Sequence, residues 1–352
     1  MDPKTVAEIV FAAHDPGGVL MLGAAVEAAR NKGHNIKLIG TGPAGMIWSN
    51  AGFAVTEVNT IYDLDSILDY CPDLIATGSG FGDFERSTWQ WARLNACPAI
   101  ALIDSWTSME RRFATSNGFE FPDAIGVIDT EARLQLHIET GCLKPVHIIG
   151  QAHLLEQTIR IEKIRRERYH KGGCKNLVFI SEPIDSDYGR TERGFDQFQI
   201  FELFCNVSVD NGVSKLLLKP HPRECGARWQ HYIENIKAQK GIDIVLCEDR
   251  ADDLLSWVDG VVGMTSMVLL EAHLLGIPTM SIQVGRTKIV NPVIEFLDEP
   301  ILESSEISKH FLTFMGKIGK IQNVQSRFSA IMYEADKRAV AAMETLIECD
   351  QD

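Results

Sequence analysis

The chain has little of what marks several large protein classes. No uninterrupted apolar run approaches the roughly 18 residues of a membrane-crossing helix. Residues 1–8 lack the charged and apolar regions of a secretory leader, and a strand pattern starts by Glu8, so a cytoplasmic protein without a leader is expected. Basic residues are outnumbered, 34 against 48 acidic, for a formal net charge of −14. That balance argues against a general nucleic-acid or anionic-membrane binder, though not against a local basic pocket. None of the 8 cysteines (Cys71, Cys97, Cys142, Cys174, Cys205, Cys225, Cys247, Cys349) forms a C-x-x-C pair, which weakens zinc and thioredoxin-like readings. Their scatter through apolar surroundings fits reduced, mostly buried thiols in a cytoplasm. The 10 histidines form no H-E-x-x-H cluster, so no metal site is expected from spacing. Repeats and low-complexity segments are absent.

What is present is an ordinary globular composition, 45% apolar and 23% charged, over 352 residues, a length that suggests about two domains. Short β-rich runs alternate with helical patterns. In the first half the strands are Glu8–Ala13, Asn35–Ile39, Ala54–Val58, Asp73–Thr77, Ala99–Ile103, Ala124–Ile128 and Val146–Ile149. The charged helical stretch His153–His170, broken by Lys171–Gly172–Gly173, reads as a connection between domains. Alternation then restarts with Asn176–Ser181, helix Glu192–Val207, strand Lys215–Lys219 and three further helix–strand steps; the tail Glu303–Glu348 reads as helices. Such alternation implies parallel sheets covered by helices. The expected fold is α/β, two Rossmann-like domains facing across a cleft: residues 1–152, a helix and linker over 153–173, and residues 174–352.

Open parallel sheets bind ligands beyond the carboxyl ends of their strands. After the first strand come His14, Asp15, Pro16, Gly17 and Gly18. The glycines allow close backbone approach and the following helix start favours an anion, so Gly17 and Gly18 are candidate phosphate-binding positions. His14 suits proton transfer, and Asp15 either orients it or acts as the base itself. Adjacent side chains of an extended segment diverge, so one of the two is expected at the reaction centre. The plainer reading is a turn whose His and Asp cap a helix. Gly40–Gly45 fits G-x-G-x-x-G, but it follows the second strand, and the acidic residue a dinucleotide site needs has only loose candidates in Asp63 and Asp65. Asp83, in a Gly-rich strand end, and Asp104 with Trp106, in a Ser-rich one, are candidates for binding an acceptor hydroxyl or sugar ring; either aspartate could partner His14, and Asp104 could instead cap a helix.

In the second half Ser181 and Glu182 end one strand. Lys219, Pro220, His221, Pro222 and Arg223 end another, with positive charge and an imidazole held in extended backbone by the prolines. Thr265 or Ser266 is a good N-cap for a helix whose start is a natural phosphate seat. Glu271 interrupts that helix's apolar run and could accept hydrogen bonds from ribose hydroxyls.

Two stretches carry a resemblance. Gly263–Pro278 (GMTSMVLLEAHLLGIP) resembles the donor-site segment of GT-B glycosyltransferases, and Lys219–Pro220–His221–Pro222 resembles the K-P-H-P segment of bacterial polysialyltransferases and capsule Kdo transferases. The resemblance implies a GT-B fold and a nucleotide-sugar donor, which a CMP-linked one would fit. It also implies His221 on the leaving phosphate, supported by Thr265 and Ser266. The amino-terminal half lacks the acidic base motif of sialyltransferases; its His14 is similar to the histidine after the first strand of plant- and antibiotic-type GT-B enzymes.

The expected activity is inverting, metal-independent sugar transfer to a hydroxyl acceptor in surface-polysaccharide or glycan biosynthesis. His14 or Asp15 would be the base and His221 would assist departure. Ser181, Glu182, Lys219, Arg223, Thr265, Ser266 and Glu271 would hold the donor. No cofactor beyond the nucleotide sugar is expected. Partners are that donor and a glycan or small hydroxyl acceptor, with no nucleic acid and no transmembrane segment; a homodimer is left open. The alternatives are a sugar-nucleotide epimerase or hydrolase of the same architecture, and a non-catalytic nucleotide-sugar-binding module.

Overall fold

Both halves of the alternating pattern fold into parallel sheets. A computed structural model of the protein describes residues 6–58, 64–68, 70–168, 175–292, 294–297, 299–320 and 332–349. The chain divides into two units, one of Met1–Leu155 with Arg327–Asp352, the other of Glu156–Ser326.

The first unit runs β1 (Glu8–Ala13), α1 (Pro16–Asn31), β2 (Asn35–Gly40), α2 (Pro43–Asn50), β3 (Thr56–Glu57), α3 (Leu64–Ile67), β4 (Leu74–Thr77), α4 (Phe84–Leu94), β5 (Ala99–Leu102) and α5 (Met109–Phe113). The small hairpin β6 (Ala114–Thr115) and β7 (Gly118–Phe119) follows, then β8 (Ala124–Val127), α6 (Thr130–Thr140) and β9 (Val146–Ile148). The main sheet has the order β3-β2-β1-β4-β5-β8-β9, every pair parallel. Strand β1 is buried on both faces, which is why EIVFAA reads as a near-continuous apolar run rather than an alternating one.

The last helix, Ala335–Cys349, packs in this unit's core. Val340, Met343 and Ile347 join Phe11, Leu22 and Trp48 there. Outside that core, Glu344 accepts from Lys32 Nζ at 2.6 Å and lies 3.2 Å from His34 Nε2. The expected domain of 174–352 is therefore corrected: the tail's final helix belongs with the amino-terminal strands, because its apolar stripe is buried against α1. Part of that tail, residues 321–331, lies outside the described residues, as do 169–173 of the expected linker and Asp63.

The second unit follows α7 (Ala152–Arg168). It contains β10 (Leu177–Ile180), α8 (Ile184–Asp187), α9 (Arg190–Arg193), α10 (Gln197–Asp210), β11 (Lys215–Lys219), α11 (Gly226–Lys240) and β12 (Asp243–Leu246). Then come α12 (Ala251–Leu255), β13 (Gly260–Gly263), α13 (Met267–Leu274), β14 (Thr279–Ser281) and α14 (Ile307–Lys317). Its sheet has the order β12-β11-β10-β13-β14. The helix expected over Glu192–Val207 instead starts at Gln197, where Asp196 Oδ1 caps the Gln199 N–H at 2.8 Å. A core of Phe179, Phe201, Phe204, Trp229 and Phe311 covers one face of the sheet.

Counted from each unit's first strand, both sheets contain the order 3-2-1-4-5. Strand order reverses direction beside β1 in the first unit and beside β10 in the second, so the ligand-binding positions are the carboxyl ends of β1 and β4, and of β10 and β13. Among the described residues no helix is long and apolar enough to cross a membrane.

Candidate functional site

In the second unit the strand ends are tied together by two half-buried carboxylates. Glu182, just past β10, accepts the Thr265 N–H at 2.7 Å and the Thr265 hydroxyl at 2.6 Å, which links the β10 end to the β13 end. Burial pushes the Glu182 carboxyl above its ordinary pKa, opposed by the Thr265 bonds. Glu224, before α11, accepts the His221 N–H at 2.7 Å through one oxygen, and the Ser181 hydroxyl at 2.9 Å and Trp229 Nε1 at 3.0 Å through the other. That links β10 to β11. Its carboxyl is also pushed up, mainly by burial.

These bonds change the part that several residues play. Ser181 and Thr265 are buried, Glu182 is half-buried, and all three are bonded to the protein; they shape the strand ends rather than offering their polar groups outward. Ser266 is different. Its side chain caps α13 by accepting the Val268 N–H at 3.2 Å, which leaves its own hydroxyl hydrogen to donate.

His221 Nδ1 accepts the Arg223 N–H at 3.2 Å, so the ring proton sits on Nε2. Burial, then the neighbouring Arg223 charge, holds the imidazole below its usual pKa. The Nε2–H is therefore the donor that His221 can offer a ligand. Lys219 Nζ is 3.4 Å from the Glu248 carbonyl and exposed. Arg223 forks onto Asp187, at 2.9 and 2.7 Å, so its charge is already matched.

Glu271 on α13 accepts from Gln157 Nε2 at 3.1 Å. Burial lifts its carboxyl to about 7, so near neutral pH it exchanges a proton readily.

In the first unit His14 and Asp15, expected to diverge, meet: His14 Nδ1 is 2.8 Å from Asp15 Oδ1. The strand has ended at Ala13 and the chain is turning into α1, so the two side chains no longer point to opposite faces. Asp15 Oδ2 accepts the Phe81 N–H at 3.1 Å, joining the β1 end to the β4 end. Glu85, buried in α4, accepts the His14 N–H at 3.0 Å through Oε1, while its Oε2 has no hydrogen-bond partner among the described residues. Burial raises the Glu85 carboxyl. Both acids crowd Gly80, where an added methyl would meet Asp15 Oδ2 at 2.2 Å and Glu85 Oε2 at 3.1 Å.

The remaining sequence candidates fall in several places. Asp104 pairs with Arg112, 2.7 Å away and buried, and Arg112 also donates to the Ser79 hydroxyl at 2.8 Å. Asp83 is exposed and paired with Arg86 at 2.7 Å. Neither aspartate partners His14. Trp106 is corrected: it is buried, 1% exposed, and its indole N–H is donated to Asp129 at 2.9 Å, so it offers no face to an acceptor. Gly17 and Gly18 are bare for reasons internal to the protein. A methyl on Gly17 would strike Asp104 Oδ2 at 1.9 Å, and Gly18 lies backbone to backbone against Gly78. Gly42, in the G-x-G-x-x-G stretch, backs onto His14 Nε2 in the same way, at 2.7 Å from an added methyl.

Sequence reasoning missed Glu85, Arg112, Arg193 and Glu224. A carboxylate in the first turn after a Gly-rich strand end was the available signal for Glu85. Arg112 lies in a stretch that carried no assignment at all.

No family model matches the chain, and no curated protein matches it in sequence. Solved structures match its fold. A UDP-GlcNAc 2-epimerase from Neisseria meningitidis, bound to UDP-GlcNAc, superposes with a TM-score of 0.68 at 12% identity over 96% of this chain and 100% of that one. The UDP-GlcNAc 2-epimerase from Methanocaldococcus jannaschii gives 0.66 at 10% identity, over 96% and 99%. A glycosyltransferase from Rickettsia africae gives 0.63 at 9%, over 97% and 99%. The fold is thus GT-B-like, shared with UDP-GlcNAc 2-epimerases and glycosyltransferases.

Proposed function

We propose that this protein is an enzyme acting on a nucleotide sugar, and that it converts the sugar of that single substrate, as an epimerase or hydrolase, rather than passing it to an acceptor. The observation that carries the reading is the cluster at the β1 and β4 ends: a His14–Asp15 pair with a second, buried carboxyl, Glu85, packed around the same glycine. Inverting a carbon needs a group that removes a proton and a group that returns one. An imidazole–carboxylate pair backed by a second carboxyl, whose pKa burial raises, is suited to both. The fold likenesses to several UDP-GlcNAc 2-epimerases support the same choice over transfer.

The second unit takes the nucleotide. The α13 start, the Ser266 hydroxyl, the His221 Nε2–H and Lys219 supply donors and charge for a phosphate, and stabilising charge on a departing phosphate is a large catalytic term. With these groups in place no cofactor or metal ion is proposed, and turnover should resist a chelator. Glu271 is the group offered to the ribose.

Glycosyl transfer is the second reading, favoured by the 2.8 Å His14–Asp15 contact, which suits deprotonation of an acceptor hydroxyl. Incubation with UDP-, GDP-, CDP- and CMP-sugars in heavy water, with no acceptor, separates the two. Deuterium in the recovered sugar, a second epimer or free nucleotide supports the first reading. Turnover only when a hydroxyl acceptor is added overturns it in favour of transfer, and binding without turnover marks a non-catalytic module.

A further inference from the structure

The sequence placed the phosphate-gripping arginine at 223, but the structure pairs Arg223 with Asp187 and leaves another guanidinium unmatched. Arg193, at the end of α9, is only 7% exposed. It lies over the Tyr188 ring, 3.7 Å from the centroid. Among the described residues it has no hydrogen-bond acceptor and no ion-pair partner for its side chain. Its neighbours differ: Arg228 pairs with Asp185 and Arg286 with Glu295. A guanidinium carries five donors in a fixed fork, and here its charge meets the Tyr188 ring and the field of Glu182 while the fork itself holds no acceptor.

Glu182 is the carboxylate whose field Arg193 feels, yet both Glu182 oxygens are occupied by Thr265. Arg193 therefore sits beside the residue that fixes the chain leading into α13. It is also held there. The Arg193 carbonyl accepts the Thr287 N–H at 3.2 Å, and the Glu192 carbonyl accepts the Thr287 hydroxyl at 2.6 Å. Gly194 follows with φ +85, and a methyl on it would fall 1.8 Å from the Gly285 carbonyl oxygen. The loop is latched before any ligand arrives.

We propose that Arg193 is a preformed anchor for the phosphate of the nucleotide, completing with the α13 start a seat for a nucleoside diphosphate. This rests on the nucleotide-sugar reading above. A planar fork matches phosphate oxygens two at a time, and a charge-assisted pair of that kind is stronger than a neutral hydrogen bond. The ligand supplies the acceptors that the protein withholds.

The test uses the full chain and three probes, UDP, uridine and inorganic pyrophosphate, by calorimetry and thermal shift. Arg193→Met should weaken UDP and pyrophosphate by about tenfold or more and leave uridine unchanged. It should lower the melting temperature of the unligated protein only slightly, by the lost contact with the Tyr188 ring, since no hydrogen bond is lost. Arg193→Lys should recover part of the loss, and Gly194→Ala should mimic Arg193→Met by unlatching the loop. Equal UDP affinity in Arg193→Met and wild type overturns the anchor while the nucleotide reading stands. Arginine-dependent binding of pyrophosphate without binding of UDP keeps the anchor and removes the nucleotide. A melting temperature lowered by more than the Tyr188 contact explains, with uridine and UDP weakened alike, shows a structural role and overturns the proposal.

Discussion

Glu182 receives both the backbone N–H and the hydroxyl of Thr265, a residue 83 positions away in sequence. One carboxylate thereby sets the distance between the ends of β10 and β13, the point where the second unit's strand order reverses. Thr265→Val removes the hydroxyl and leaves a buried oxygen unsatisfied, at a cost of about 1–3 kcal/mol. Each kcal/mol lowers the melting temperature by about 2–4 °C for a unit of this size. Thr265→Ser should retain most of the stability. Thermal unfolding of the two variants checks this, and equal melting temperatures would show the bond to be unimportant.

Glu271 makes stability depend on pH. Its folded carboxyl titrates near 7, above an ordinary value of 4.5. Between those values the folded state holds more protons than the unfolded one, so stability falls as pH rises from about 4.5 to about 7 and levels off above. At 1.4 kcal/mol per pH unit the loss is at most about 3 kcal/mol. Glu271→Gln keeps an acceptor for Gln157 and removes the titration. It should match wild type at pH 4.5 and exceed it at pH 8 in urea midpoint; parallel curves would contradict the assignment.

The His14–Asp15 pair should govern turnover rather than nucleotide affinity. Replacing a positioned acid–base group costs about 10²–10⁴ in rate. His14→Gln is expected to lower kcat within that range with UDP affinity nearly unchanged, and Asp15→Asn to lower it less while shifting the pH profile. Steady-state kinetics against pH decides the matter, and full activity in His14→Gln would remove the residue from the chemistry.

Trp106→Phe tests a correction. The indole N–H reaches Asp129, which caps α6 by accepting the Ala132 N–H at 2.9 Å. Losing that bond should cost about 1 kcal/mol of stability and leave KM for every substrate unchanged. A raised KM with intact stability would return the ring to the ligand.

The strands were readable because buried parallel strands are short apolar runs: Leu216–Leu217–Leu218 and Val178–Phe179–Ile180 can be little else. The ends of those strands were readable as positions, and His14, His221 and Ser266 do stand there. What each side chain touches was not readable. Arg223 and Arg193 look alike in sequence, and only the folding of α8 brings Asp187 to one of them. Trp106 follows a strand as a sugar-stacking residue would, but the path of the chain turns it inward. The glycines at 17, 18 and 42 announce close approach correctly, and the sequence cannot say whether the approaching atom belongs to a ligand or to the protein. The K-P-H-P likeness stays a proposal about His221 for the same reason.

The return of Ala335–Cys349 to the amino-terminal strands has a practical meaning for anyone dividing this molecule. A fragment ending near residue 152 would lack Val340, Met343 and Ile347 and expose the α1 surface they cover, and each such side chain contributes about 1.5–3 kcal/mol by burial. The segment Glu156–Ser326 is continuous, whereas the other unit is sewn from two distant stretches and cannot finish folding until Ala335–Cys349 has been made.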